Sequence, residues 1–452
     1  MIGIRETQRN SPMIISYPRD TLLAAVSFMQ RTGAVPKNPT LRVLDYVHLE
    51  GGRVTANNLD WALTYAVPID PHPDFLLPVP ALLQVLKRAD AKTAITFSFN
   101  GDRPPTGIQA VFTIHGRTTS FDFASLPPED FPPLPTAEWG GPAQVWDLDD
   151  LDCFRSALSC SSTDPTRFIL NGVFVDVTKC PQAGRFVGTD GRRLYRSGER
   201  RWLWLRPVDA EDRGFIIPRL PAFESSGDIF AWPWRLSRSR QLLEICAGPW
   251  TLLTKTVTGN YPQYQQVIPK QKRVTGWVLR PGEAKEAAEL IACLITDAAR
   301  KSVTLKLSAA QGPRICGQVG GMQINLPGTV QLPEGINEEY VSLNPDYLCP
   351  ALNHGAILVT IVDPVSPVVF HLEDGGMEVV MPTRDGPTAP KPAPTPAAIE
   401  ADAAEEAAED EEAEAQAAEG EDQETPAPGS DAPVSFPDTS EPLPFTPGTS
   451  ET

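Results

Sequence analysis

Residues 186–198 read FVGTDGRRLYRSG. Two β-like runs meet at Thr189-Asp190-Gly191-Arg192-Arg193. Glycine tolerates φ > 0 without a steric penalty, so Asp-Gly here is an ordinary hairpin or bulge signal. A carboxylate between a hydroxyl and two guanidinium groups is also a candidate for chemistry. Asp190 has no acidic partner or base beside it in sequence, which a general acid–base role requires. The flanking chain has to separate a turn from a site.

Working outward, helical periodicity recurs at RDTLLAAVSFMQR (19–31), LDDLDCFRSALSC (148–160) and PGEAKEAAELIACLI (281–295). In the second, Leu151, Phe154 and Leu158 fall on one face. Pro281 suits a first helical turn. The starts, near residues 20, 149 and 282, are 129 and 133 apart. Each helix precedes short strands such as RVLDYVHLEGGRVTA, FILNGVFVDVT and SVTLKLSAA. A second helix is predicted over 79–89 and 344–353, but Pro218 and Pro221 permit only a short one over 217–227. Phe131 and Tyr261, each before a proline, are 130 apart. A period this long means a repeated domain, not a solenoid unit. The fold class is α+β: three similar domains with helices on one face of antiparallel sheets. The predicted boundaries are an extension over 1–12, domains over 13–141, 142–270 and 271–386, and a tail over 387–452.

Composition excludes several classes. The net charge of −18 is uneven: residues 388–452 hold 17 acids and one lysine, leaving −2 for residues 1–387. Few apolar groups and high charge make the Pro-rich, acidic tail a disordered segment. Seven scattered cysteines without a C-x-x-C argue against a disulfide framework or zinc site and for a reducing compartment. The start lacks the apolar run of a signal peptide, and no run approaches a membrane span. A cytoplasmic location without membrane association is expected. The five histidines have no metal-ligand spacing, and no P-loop, G-x-G-x-x-G or G-x-S-x-G occurs. The expectation is no enzyme, no cofactor and no metal.

Ordered motifs then carry a resemblance. FDFASLPPEDFPPLP (121–135), DPTRFILNGVFVDV (164–177), FVGTDGRRLYRSG, GNYPQYQQVIP (259–269), LNPDYLCPAL (343–352), DPVSPVVF (363–370) and VVMPTR (379–384) occur in sequence. Over residues 13–386 the chain resembles the bacterial DNA polymerase III β sliding clamp family. The resemblance implies a ring-forming homodimer that encircles double-stranded DNA without reading its sequence. It implies a processivity factor, to which DNA polymerase III subunits and the clamp loader dock by short peptides. The alternative is a clamp-fold protein that binds replication peptides without being loaded on DNA.

The resemblance also implies a peptide groove between the second and third domains. The hairpin would contribute Thr189, Gly191, Arg192, Arg193 and Leu194, with Leu170 before it and Pro262 and Val267 from the linker. The third domain would contribute Asn344, Tyr347, Val365 and Pro367, then Val379, Val380, Met381, Pro382 and Arg384. An apolar floor with an Arg, Asn and Tyr rim suits a short peptide. Phe121 and Phe123 match the family's intersubunit contact. Arg31, Lys37, Lys87, Arg88, Arg155 and Arg167 are basic candidates for the DNA-facing side. The chain departs from the family pattern at Arg192, usually His, and at Thr383 and Asp385, which replace Met and Leu.

Overall fold

The computed structural model describes residues 13–99, 107–139, 143–180, 183–202, 214–224, 229–239, 241–270, 274–293, 302–317 and 323–383. The chain divides into two units, Met1–Gly386 and Pro387–Thr452, and every described residue belongs to the first. The tail expected to be disordered lies outside the described residues.

One unit, strand–helix–three strands, occurs six times among the described residues. It first runs through β1 (Met13–Pro18), α1 (Arg19–Arg31), β2 (Tyr46–Glu50), β3 (Arg53–Asn57) and β4 (Trp61–Ala66). It recurs in β5 (Phe75–Pro78), α2 (Val79–Arg88), β6 (Ala94–Phe99), β7 (Gly107–Ile114) and β8 (Arg117–Ala124). The middle of the chain holds β9 (Gln144–Trp146), α3 (Leu148–Cys160), β10 (Gly172–Cys180), β11 (Ala183–Thr189), β12 (Arg193–Arg196) and a short β13 (Arg200–Arg201). Then come β14 (Gly214–Pro218), α4 (Pro221–Glu224), β15 (Trp234–Arg238), β16 (Leu242–Ala247) and β17 (Trp250–Lys255). The last third starts with β18 (Thr275–Val278), α5 (Glu283–Ala292), β19 (Val303–Ser308), β20 (Gly312–Gly317), β21 (Gln323–Asn325) and β22 (Thr329–Gln331). It ends with β23 (Glu338–Leu343), α6 (Pro345–Asn353), β24 (Ala356–Ile361), β25 (Val368–Leu372) and β26 (Met377–Val380).

The leading strand of each unit pairs with the three strands of its neighbour. The order β1-β6-β7-β8 is answered by β5-β2-β3-β4, and the same exchange gives β9-β15-β16-β17 and β14-β10-β11-β12. The final third repeats it as β18-β24-β25-β26 and β23-β19-β20-β21. Last strands then join across units: β4 pairs with β17, and β12 with β26, both antiparallel. Two last strands, β8 and β21, have no such partner among the described residues.

Local chemistry explains the element ends. Asp147 and Asp150 form a reciprocal cap on α3, with N···O distances of 2.8 and 3.2 Å. Arg200 Nε holds the buried Asp150 at 2.6 Å, although burial pushes that carboxyl above its ordinary range. Leu151, Phe154 and Leu158 are buried, the face that the periodicity predicts. Trp146 packs edge-on to Phe186 at 4.7 Å, in a core shared with Trp202 and Trp234.

Some predicted boundaries shift. Arg42–Asp45 and Pro165–Leu170 are 3-10 turns, not strand starts. Asp164 caps the second turn, and the strand opens at Gly172, where a Cβ would lie 2.2 Å from the Ile217 carbonyl oxygen. Pro281 stands before α5, because Gly282 turns the chain at φ 91° and Glu283 accepts a bond from Arg280 N at 2.7 Å.

Candidate functional site

The opening stretch is a hairpin. Thr189 pairs with Leu194 across a tip whose Gly191 has φ 87°. Asp190 Oδ1 accepts from the backbone N–H of Arg192 (2.8 Å) and of Arg193 (3.0 Å), and Oδ2 meets Arg193 Nε at 3.1 Å. Gly191 N–H donates to Thr189 Oγ1 at 3.1 Å, and Thr189 donates to the Arg193 carbonyl at 2.6 Å. Asp190 therefore has its oxygens engaged in building the turn. Asp190→Ala is expected to lower the thermal midpoint, through about 1–3 kcal/mol from orphaned donors. Asp190→Asn, which keeps an acceptor, should cost less. Equal midpoints for all three proteins would contradict this role.

From this tip the site spreads across the β12–β26 joint. Arg193 Nη2 donates to Ser159 O at 2.6 Å, and its guanidinium lies 4.9 Å from the Tyr347 ring. One side chain thus links the end of α3, the hairpin and α6. Arg193 faces Val380, Leu194 faces Val379, and Met381 N–H extends the ladder to Arg192 O at 2.9 Å. Leu194 and Val379 are buried with Val187, Tyr264 and Val369 beneath the linker. Tyr261 stacks on Phe174 at 4.7 Å, and Tyr264 donates to Asp176 at 2.6 Å. Burial pushes both tyrosine hydroxyls above their ordinary range.

Around this floor stand exposed apolar groups: Val267 (48%), Val365 (82%) and Met381 (42%). Val365 is displayed by a turn in which Asp363 accepts from Val365 N and Ser366 N. Pro367 leads directly into β25, beside the joint, and Pro382 follows Met381. Leu170 is half-buried, Pro262 is exposed, and Val380 is fully buried. Asn344 is a helix cap whose Oδ1 accepts from Asp346 N at 2.9 Å, so its amide oxygen is already engaged. Arg384 lies outside the described residues. Phe168, 57% exposed beside Leu170, was not among the expected residues. The sequence signal nearby was Asp164-Pro165, which starts a 3-10 turn that kinks at Arg167, just before Phe168.

No protein-family profile matches the chain. It is 28% identical over 408 residues to the β sliding clamp of Caulobacter vibrioides, covering 82% of this chain and all of that one. It is 24% identical to that of Pseudomonas putida, covering 75% of this chain and 90% of the relative. Among solved structures, the Bartonella birtlesii sliding clamp bound to griselimycin has a TM-score of 0.68 at 20% identity, covering 82% of this chain and all of that one. The Helicobacter pylori β clamp bound to a DNA ligase peptide gives 0.66 at 18% identity, with the same coverage. The chain is a divergent member of the DNA polymerase III β sliding clamp family.

The basic candidates of this clamp fall in different places. Arg31 ends α1, 5.4 Å from the Phe28 ring, and Lys87 and Arg88 end α2. Lys37 is exposed between α1 and β2. Arg155 is exposed on α3, 3.9 Å from Asp152 and 5.3 Å from the Phe230 ring. Arg167 donates to the Asp190 carbonyl at 3.1 Å, so it belongs with the hairpin and not with a helix face. On α5, Lys285 is exposed beside Glu286 and Glu289. Phe121 and Phe123 on β8 pack together at 4.9 Å but differ in exposure, 43% against 2%. Phe123 is a core residue of its own chain, which leaves Phe121 as the aromatic available to another. Among the described residues, no helix is long and apolar enough to cross a membrane.

Proposed function

We propose that this chain is a processivity factor. Two copies close head to tail into a ring around duplex DNA, and the groove at the β12–β26 joint holds peptides of polymerase and other replication proteins. One observation carries the reading. Each joint pairs the last strand of one kind of unit (β4, β12) with that of the other kind (β17, β26). The two unpaired last strands, β21 and β8, are one of each kind. Two copies can satisfy both edges twice in a closed assembly, which removes free strand edges.

The charge distribution supports the reading. A body of net charge −2 with cations on helix ends attracts phosphates weakly and without sequence preference, as sliding requires. The three clamp domains would run over 13–141, 142–270 and 271–386, with replication in the cytoplasm and no catalysis by the clamp itself. Polymerase III subunits and a clamp loader would be the partners. The test uses closed circular DNA, the host's loader and ATP. The protein should stay on the circle through gel filtration and leave when the circle is cut. Peptide binding without retention would replace this reading with that of a clamp-fold adaptor not loaded on DNA.

A further inference from the structure

The two joints within the chain are built alike, position by position. At one, Arg193 faces Val380 and Leu194 faces Val379; at the other, Trp61 faces Thr254 and Ala62 faces Leu253. The hairpins leading into them close with the same spacing, Thr189 on Leu194 and Asn57 on Ala62. Their tips are wired alike. Asn58 Oδ1 accepts from Asp60 N at 3.1 Å and Trp61 N at 3.0 Å, as Asp190 does two residues and three residues on. Pro132 follows Phe131 as Pro262 follows Tyr261, and Asn57 Nδ2 ties the Pro132 carbonyl at 3.4 Å. Leu242 precedes the residue facing Thr254, as Pro367 precedes the one facing Val380.

Where the groove has its floor, the β4–β17 joint has a cavity of about 80 Å³ bounded by Leu59, Trp61, Pro132, Leu242 and Leu253. That is room for one aliphatic side chain. Its lip carries an anomaly. Leu59 occupies the position of Gly191 with φ 77° and is 50% exposed. A branched side chain is disfavoured in this backbone region, and half-exposed it gains little from its own core. Charge distinguishes the two joints. The groove hairpin exposes Arg192 beside the paired Asp190 and Arg193, a net of one positive charge, whereas the cavity is flanked by Asp60 and Lys255, one of each sign.

We propose that the β4–β17 joint is a second docking site, which takes an uncharged extended peptide through one branched aliphatic side chain. That the occupant is a peptide rests on the reading of the groove; the cavity and its leucine do not. The balanced rim selects an uncharged segment, and the cavity volume limits the anchor to one side chain.

The test is methyl-detected NMR of the full chain, titrated to millimolar with acetyl-Gly-Ser-Leu-Ser-Gly-amide and with its alanine counterpart. The leucine peptide should shift the Leu59, Leu242 and Leu253 methyls saturably, and the alanine peptide should bind at least about tenfold more weakly. Leu59→Gly should raise the thermal midpoint yet weaken the leucine peptide about tenfold, and Leu242→Ser should weaken it similarly. Absence of a saturable shift, or equal binding of both peptides, overturns the proposal. So do shifts of these methyls on raising protein concentration alone, which would assign the cavity to a second copy. The Val365 and Met381 methyls report the groove separately. Response there alone removes the second site, whereas the groove stands or falls on its own docking peptide.

Discussion

Serine at Val267, Val365 and Met381 together is expected to weaken a replication docking peptide by at least about a hundredfold, with the thermal midpoint held within a few degrees. These side chains are 48%, 82% and 42% exposed, so the fold gains little from them, whereas a bound peptide would desolvate them. Anchors at the centre of such a groove contribute roughly 2 kcal/mol each and combine less than additively. Leu194→Lys is a poorer probe. Leu194 is 3% exposed in a cluster with Val187 and Val379, and a buried ammonium there would disrupt the joint itself. Fluorescence polarisation with a labelled peptide measures the loss. Unchanged affinity in the triple variant would remove these residues from the site.

Phe121→Arg should convert the proposed dimer to monomers at micromolar concentration, raising the dissociation constant by at least about a hundredfold. The residue projects from β8, and in a ring of two chains the change falls at both seams. A guanidinium against an unpaired strand edge opposes pairing as edge charges do in natural sheets. Phe123 should be left intact. At 2% exposure its truncation would remove core packing, about 3–5 kcal/mol for a buried phenylalanine, and confuse association with folding. Light scattering reads the mass and the thermal midpoint checks the fold. A wild-type chain that is monomeric at this concentration, or a variant that remains dimeric, would refute the seam.

The helices were legible because their buried faces follow a 3.6-residue period. Residues 19–31 and 148–160 are helical over the predicted spans. The repeat of about 130 residues was legible from Phe131 and Tyr261. The finer sixfold repeat was not, because leading strands such as Phe75–Pro78 and Gln144–Trp146 are too short to show a period. At the site, the Thr189–Leu194 hairpin could be read as a turn from Asp-Gly. The occupation of Asn344 as a helix cap, and the outward placement of Phe168, depend on local backbone that alternation does not encode. The likeness of Asn57–Ala62 to Thr189–Leu194 is invisible as sequence, since no residue is shared. It lies in register and in which backbone N–H each side chain accepts.

The linkers give the two kinds of seam different kinetics. Each joint inside the chain is backed by a covalent strap, fastened at Pro132 by Asn57 and at Tyr264 by Asp176. Strands parted there stay near each other at an effective concentration on the order of millimolar and re-pair at once. A seam between β8 and β21 of different chains has no strap, and once parted it re-forms only as fast as the bulk protein concentration allows. The proposed ring would have a designated door: whatever admits or releases DNA would work at the unstrapped seam, while the strapped joints stay shut.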